Sequence, residues 1–391
     1  MKQLFTTITV LFIGVIGLNG QVLEIPFKLK NDIILIELKI NDNVNANTFV
    51  FDTGASSNVL DIQVAKSLGL KPNYKQDVRG TGGVNSYDIV LDQKFKLGKG
   101  IEIENANLII VDLRRLNRKL EKKFDGIIGY SLVRNYITKI DYENQKIQLF
   151  DEIEDVKTDG YSRIPFQFKR GILIPQFDIS ITLNNNEQFG GTIFFDSGAA
   201  RTLSINTPYN KRHKLNKKVD RRLISEIENL NKKSILKDIA IKSMTIGEYT
   251  MDEMVISLTN EKEGVSSYHG YLGILGAKVI SRFNIILDYS SSTLFLKPNR
   301  NFAEAFEFPM SGITLARDND SIVISRIQQN SMAYQKGVKK GDKLISIDSI
   351  STKDIETYRK LLKKEGKICN LVLVDKEGKF KSIDIKLVRL L

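Results

Sequence analysis

Two stretches of the 391-residue chain place an acid, a hydroxyl and a glycine in the same order, Phe51-Asp52-Thr53-Gly54-Ala55 and Phe195-Asp196-Ser197-Gly198-Ala199. Each follows a run of strand-forming residues. A carboxylate held at a strand end can serve as a general acid or base when its surroundings shift its pKa. Glycine two positions later lets the backbone turn sharply and bring NH groups toward that carboxylate. The hydroxyl between them, Thr53 or Ser197, can bond to neighbouring backbone and hold the turn. One such triplet is weak, because an acid and a glycine at a strand end most often make a simple turn. Two copies, each followed by an apolar-apolar-Gly strand, are strong.

Other chemistries have little to work with. Cys369 is the only cysteine, which excludes an intramolecular disulfide, a zinc cluster or a paired redox motif. It sits in the strand-like Lys367 to Val374, where a lone Cys packs as a small apolar residue. His213 and His269 are the only histidines, so a histidine-rich metal site is excluded, and both read as ordinary surface or loop residues. Nothing in the chain calls for a metal or a cofactor. The net charge of +12 concentrates in Leu113–Lys123 and Lys211–Arg222. Such runs can meet nucleic acid, anionic lipid or acidic peptide, but read first as solvated helix or loop faces. No aromatic-interleaved basic motif supports a nucleic-acid partner.

The elements that must position the two acids form an internal repeat. Ile25-Pro26-Phe27 with Lys30 recurs as Ile164-Pro165-Phe166 with Lys169, at an offset of 139. Asn47–Ala55 recurs as Gly191–Ala199 at an offset of 144, and Ile127-Ile128-Gly129 as Ile274-Leu275-Gly276 at 147. At that last offset Tyr136 matches Phe283, Asp141-Tyr142 matches Asp288-Tyr289, and Ile147-Gln148-Leu149 matches Leu294-Phe295-Leu296. The order is kept and the offset grows by small insertions only. The chain therefore encodes two copies of one unit rich in short alternating strands, and its length predicts two or three domains. At the start, Lys2 precedes an apolar run from Ile8 to Leu18 followed by Asn19, Gly20 and Gln21. That is the layout of a secretory signal cleaved near Gly20, too short to span a bilayer, with a buried N-terminal strand as the alternative. No later stretch has the length or purity of a transmembrane helix. An exported protein, periplasmic or extracellular, is expected.

Together the two triplets and the two apolar-apolar-Gly strands resemble the pepsin and retropepsin clan of aspartic peptidases, over roughly residues 22–298. Ala after Gly, and the Ile-Ile-Gly, are similar to the retropepsin side, where two identical chains each give one lobe. This chain carries both lobes itself, as pepsin-like enzymes do. The resemblance implies a mainly β, bilobal acid-protease β-barrel fold with a pseudo-twofold, of the single-chain bacterial type and working as a monomer. It further implies Asp52 and Asp196 as catalytic residues, Thr53, Gly54, Ser197 and Gly198 as their support, and a peptide or protein substrate. Two carboxylates side by side cannot both ionise, so one proton is shared and the macroscopic pKa values split, aspartic proteases being the standard example. Which Asp is protonated first is left open.

Arg79-Gly80-Thr81-Gly82-Gly83 lies where this family places a glycine-rich hairpin that closes over substrate. Gly80, Thr81, Gly82 and Gly83 are the candidate flap, with a plain surface turn as the rival. Arg79 stands where pepsin-like flaps usually have Tyr, although Tyr87 follows. The second lobe has no glycine cluster between Ser204 and Ile246, so one flap is expected, not two. Ser56 in one lobe against Ala200 and Arg201 in the other predicts an asymmetric cleft.

After Pro298 the repeat ends, and Asn301–Phe308 reads as a short amphipathic connector. Gly337-Val338-Lys339-Lys340-Gly341-Asp342-Lys343-Leu344 is followed by apolar residues at helical spacing in Asp354–Lys364, with a cap expected at Ser351 or Thr352. This order resembles a PDZ domain, an α+β unit, over residues 309–391, with an anonymous small α+β domain as the alternative. The resemblance implies that a peptide C-terminus adds as a strand and that NH groups of Gly312, Ile313 and Thr314 receive its carboxylate. The expected organisation is a signal peptide over 1–20, an N-terminal lobe over 21–155, a C-terminal lobe over 156–300 and a PDZ domain over 301–391. Two function classes stay open. One is an exported aspartic endopeptidase whose PDZ domain docks peptide or regulates access. The other is a catalytically silent peptide-binding scaffold, with a basic surface-binding adaptor as a weaker third.

Overall fold

A computed structural model describes residues 20–80, 83–98, 100–120, 124–228 and 233–391. All but Gly20 of the expected signal segment lies outside the described residues. In the first lobe the alternating apolar stretches become β1 (Ile33–Ile40), β2 (Asn47–Phe51), β3 (Asn58–Asp61), β4 (Tyr74–Gly80), β5 (Gly83–Leu97), β6 (Ile101–Val111) and β7 (Gly126–Ile128), with α1 (Arg114–Leu120) before the last. Within their sheet they run β1-β2-β7-β3-β6-β5-β4. The second lobe has β8 (Gln176–Thr182), β9 (Gln188–Asp196), β10 (Leu203–Ile205), α2 (Thr207–His213), β11 (Leu223–Glu228), β12 (Lys233–Ile241), β13 (Met254–Leu258) and β14 (Gly273–Gly276). Its order, β8-β9-β14-β10-β13-β12-β11, retraces the same path strand for strand. The pairing senses agree as well, with β2–β7 and β9–β14 parallel and β3–β7 and β10–β14 antiparallel.

That correspondence corrects the expectation of a single flap. β11 and β12 form a hairpin in the second lobe at the position that β4 and β5 hold in the first. A search for glycines misses it because the body of a hairpin is specified by alternation. Along β12, Ser234, Leu236, Ile239 and Ile241 turn inward while Lys233, Ile235 and Lys237 face solvent. The basic stretch ahead of it is partly helix: Lys211, Arg212 and His213 close α2, where positive charge suits the C-terminal end of the dipole.

A third sheet joins the lobes. Its spatial order is Gln21–Pro26, Lys146–Phe150, Ile137–Asp141, Phe283–Asp288, Thr293–Pro298 and Ser162–Pro165, three strands from each copy. At its centre Lys139 stands opposite Ile286, flanked by Thr138 opposite Leu287 and Ile140 opposite Ile285. Residues 139 and 286 are separated by the offset of the sequence repeat, so each strand meets its own copy, as a twofold demands. One apolar core runs through both lobes and includes Phe49, Phe51 and Ile128 with Phe195, Leu275 and Ile285.

The C-terminal sheet contains β15 (Ile313–Asp318), β16 (Ser321–Ile327), β17 (Lys343–Ile347), β18 (Ile368–Val374) and β19 (Phe380–Lys386) in that spatial order, with α3 (Ile355–Leu361) before β18. It packs on a core of its own that takes in Ile324, Leu344, Ile355, Tyr358 and the fully buried Cys369. The cap of α3 is Asp354, not Ser351 or Thr352, since its carboxylate accepts from the NH groups of Glu356 and Thr357. The connector is fastened to the second lobe. The Arg282 guanidinium lies 3.5 Å above the Phe306 ring centre and donates to the carbonyls of Asn301 and Phe302. No helix among the described residues is long and apolar enough to cross a membrane.

Candidate active site

Strands β2 and β9 are anchored by the buried Phe49, Phe51, Phe194 and Phe195, and they deliver Asp52 and Asp196 to one place. Each runs beside its apolar-apolar-Gly partner at a separation that excludes a side chain. A Cβ on Gly129 would stand 2.0 Å from the Asp52 carbonyl oxygen, and one on Gly276 2.3 Å from that of Arg201. The turn expected at each acid is present, with the Gly54 NH donating to Asp52 Oδ1 at 2.7 Å and the Gly198 NH to Asp196 Oδ1 at 3.0 Å. The same glycines have a second task that is visible only in the assembled pair. A Cβ on Gly54 would fall 2.5 Å from the Asp196 Cγ, and one on Gly198 2.3 Å from the Asp52 Cγ. Their bareness is what allows the two carboxyl groups to meet.

The hydroxyls reach further than the sequence suggests. Thr53 Oγ1 donates to the Phe195 carbonyl at 2.9 Å and accepts the Ser197 NH at 3.0 Å, while Ser197 Oγ donates to the Phe51 carbonyl at 3.2 Å and accepts the Thr53 NH at 3.0 Å. Each therefore holds the opposite lobe, not its own turn, and both side chains are buried. Thr53→Val keeps the volume but strips the Phe195 carbonyl and the Ser197 NH of their partner. Each orphaned buried group costs about 1–3 kcal/mol, so the loss in unfolding free energy, read by denaturant titration, is expected to exceed that of an ordinary surface substitution.

Burial pushes the Asp52 carboxyl above the usual carboxylate range, against the lowering effect of the hydrogen bonds from Asp196, Gly54 and Gly198. Asp196 is pushed well above that range, first by burial and then by the negative charge of Asp52 beside it. Above them opens a cavity of ≈ 300 Å³. The first lobe contributes Ser56 and Ser57, β4 contributes Gln76, Asp77 and Val78, and the far wall is apolar, with Ile172, Ile174, Phe194, Val265 and Tyr268. Ser56, Ser57 and Phe194 lie next to an acid motif, whereas Ile172 and Ile174 precede β8 and β9 and carry no local signal.

The candidate flap is a hairpin, with Gly80 paired to Gly83 at its closing end, while Thr81 and Gly82 lie outside the described residues. The Glu263 carboxylate of the second lobe lies against Gly83, and β11 lies against α1 of the first lobe, so each hairpin leans toward the opposite lobe. Gly312, Ile313 and Thr314 sit at the start of β15, a strand bonded on one side only, to β16. Gly312 has φ +72°, which suits glycine, and its carbonyl accepts the Gln328 NH at 2.8 Å. The Ile313 NH already donates to Ser311 Oγ at 3.2 Å. Among the described residues no group of three or more His, Cys, Asp or Glu is placed to hold a metal ion.

Residues 36–132, from β1 through β7, match the family model of aspartyl proteases, and residues 323–375, from β16 through β18, match that of PDZ domains. No curated protein sequence matches the chain. Among solved structures, an aspartic proteinase from Irpex lacteus is similar over 72% of this chain and 98% of its own, at 13% identity and a TM-score of 0.47. The chain thus carries an aspartyl protease domain and a PDZ domain.

Proposed function

We propose that the chain is an exported aspartic endopeptidase that hydrolyses peptide bonds with a water held between Asp52 and Asp196. The observation that carries this reading is the meeting of the two carboxyls across the cross-lobe hydroxyl bonds, where burial raises both above the usual carboxylate range. The pair then shares one proton, so one carboxyl is ionised and the other protonated. The ionised member removes a proton from the water, the water oxygen bonds to the peptide carbonyl carbon, and the protonated member gives its proton to the carbonyl oxygen. As the tetrahedral species collapses, the C–N bond breaks, the proton taken from the water goes to the leaving amine, and one hydroxyl of the former carbonyl carbon returns a proton to the dyad. Two hairpins leaning over the cleft exclude bulk water during these steps. The apolar wall of Ile172, Ile174, Phe194 and Val265 suits an apolar substrate side chain.

The open edge of β15 beside α3 suits a peptide added as a further strand, which supports a PDZ domain that docks peptide or regulates access. Export rests on the N-terminal pattern. β1 of the mature sheet is preceded by a strand that begins at Gln21, so cleavage after Gly20 leaves the interlobe sheet whole.

The test is cleavage of a mixed peptide library by residues 21–391 from acid to neutral pH, with a statine-type transition-state mimic in parallel. Cleavage blocked by the mimic supports the dyad. Peptide binding without cleavage at any pH defeats it and leaves the scaffold reading. Because both acids are raised, both limbs of the bell-shaped kcat/KM profile are expected above the ordinary carboxylate range, and they report the pair, not one residue each.

A further inference from the structure

The two hairpins are held differently. Arg201 follows the second acid motif by three residues, and its guanidinium reaches sideways into the second hairpin. It donates to Asp238 Oδ1 on β12 at 3.2 Å, to Ser257 Oγ on β13 at 2.7 Å, to Ser225 Oγ on β11 at 3.2 Å and to the Glu226 carbonyl at 3.4 Å. Asp238 Oδ1 also accepts from Ser257 Oγ at 2.7 Å, and both Arg201 and Asp238 are largely withdrawn from solvent. A planar fork with several donors can tie three strands in this way, where a lysine could not.

The same strand, β11, is gripped from outside by the PDZ domain. The Gln328 side-chain amide donates to the Ile224 carbonyl at 2.6 Å and accepts the Ile224 NH at 3.3 Å, as a neighbouring strand would. Arg326 donates to that carbonyl at 3.3 Å and pairs with the Glu226 carboxylate. In the first lobe the residue matching Arg201 at the offset of 144 is Ser57, which lines the cavity and has no hydrogen bond to a described residue of the first hairpin.

We infer that Arg201 is a positioning residue which, together with Arg326 and Gln328 of the PDZ domain, fixes the second hairpin to the loop that carries Asp196. The inference rests on the peptidase reading for its consequence and on the geometry for its cause. Arg201 lies five residues from Asp196, and its own carbonyl accepts the Lys278 NH at 3.1 Å beside the Gly276 crossing. A shift of β11 therefore passes to the loop carrying Asp196 through one side chain, and the PDZ domain touches that path without touching the acids.

The experiment uses the mature chain with Arg201→Met, Arg201→Lys, Ser225→Ala and the pair Arg326→Ala with Gln328→Ala. Two quantities are read: kcat and KM for a cleaved library peptide, and amide hydrogen exchange over residues 223–241 and 74–97. Arg201→Met is expected to raise KM about tenfold or more with a smaller loss in kcat, and to speed exchange across 223–241 while leaving 74–97 unchanged. Arg201→Lys restores charge opposite Asp238 but not the fork, and falls between wild type and Met. The PDZ pair moves KM and exchange in the same direction to a smaller extent.

Where Arg201→Met fails to fold because Asp238 is left unpaired, Ser225→Ala and the PDZ pair carry the test. Unchanged KM together with unchanged exchange over 223–241 overturns the inference. So does exchange that rises equally in both hairpins, which marks a merely structural residue. A wild type that cleaves no peptide defeats the peptidase reading, and the exchange arm then decides the hold on the hairpin by itself.

Discussion

Asp196→Asn is expected to abolish peptide cleavage and at the same time to make the protein harder to unfold at neutral pH. Loss of one member of a positioned acid–base pair costs about 10²–10⁴-fold in kcat, and Asp52→Asn, which breaks the same pair, is expected to cost as much. The stability effect follows from linkage. The folded-state pKa of Asp196 lies well above its unfolded value, so between the two the folded protein binds more protons than the unfolded chain. The stability tied to that proton is fully present below the unfolded pKa and is lost as pH rises through the folded one. Wild type therefore loses stability toward neutral pH, where its buried pair is forced to share charge. Asn removes that slope. Each pKa unit is worth about 1.4 kcal/mol, which corresponds to about 3–6 °C in Tm for a unit of 150–250 residues. The measurement is Tm of wild type and variant from pH 3 to 8: the curves are expected to meet at acid pH and to diverge, variant above, toward neutral. Parallel curves would remove the shared proton from the account.

Gly198→Ala is the second large effect, and it separates the two tasks of the glycine. Position 198 has no positive φ to defend, so the backbone accepts alanine and the motif's own turn can form. The added methyl, however, points at Asp52, where Cγ lies 2.3 Å from the new Cβ and both carboxylate oxygens lie within 2.6 Å. Either the Asp52 side chain leaves its place or the lobes part. A displacement on the order of 1 Å at the reacting groups costs about 10²-fold, so kcat is expected to fall at least that far. Gly54→Ala, whose Cβ meets the Asp196 carboxyl at 2.5 Å, is expected to behave alike. Retained secondary structure by circular dichroism with lost cleavage fits a displaced carboxyl. Full activity in either alanine variant contradicts the paired geometry.

How much of this was legible in the residues can be followed element by element. The repeat was, because a side-chain period of two and a glycine at each close crossing are local requirements that leave a local mark. Residues 139 and 286 share the repeat offset in the sequence and stand opposite one another in the interlobe sheet. The two acids and their glycines were legible for the same reason, as were the burial of Cys369 and the amphipathic connector. The second hairpin was not, because the rule applied to it sought glycine, and alternation between Lys233 and Ile241 is common to any half-buried strand.

What only the tertiary structure decided is what passes between the copies. That Thr53 and Ser197 bond to the other lobe, that each glycine clears room for the opposite carboxyl, and that the buried carboxyls are both pushed up all depend on groups about 144 residues apart. The same holds for Arg201, legible in the sequence only as a difference between the two rims until three strands and the PDZ domain close around it. A sequence records the requirements each residue meets with its neighbours along the chain. Distance through space, and with it the sharing of a proton or the reach of a guanidinium, is set only when the two copies pack against each other.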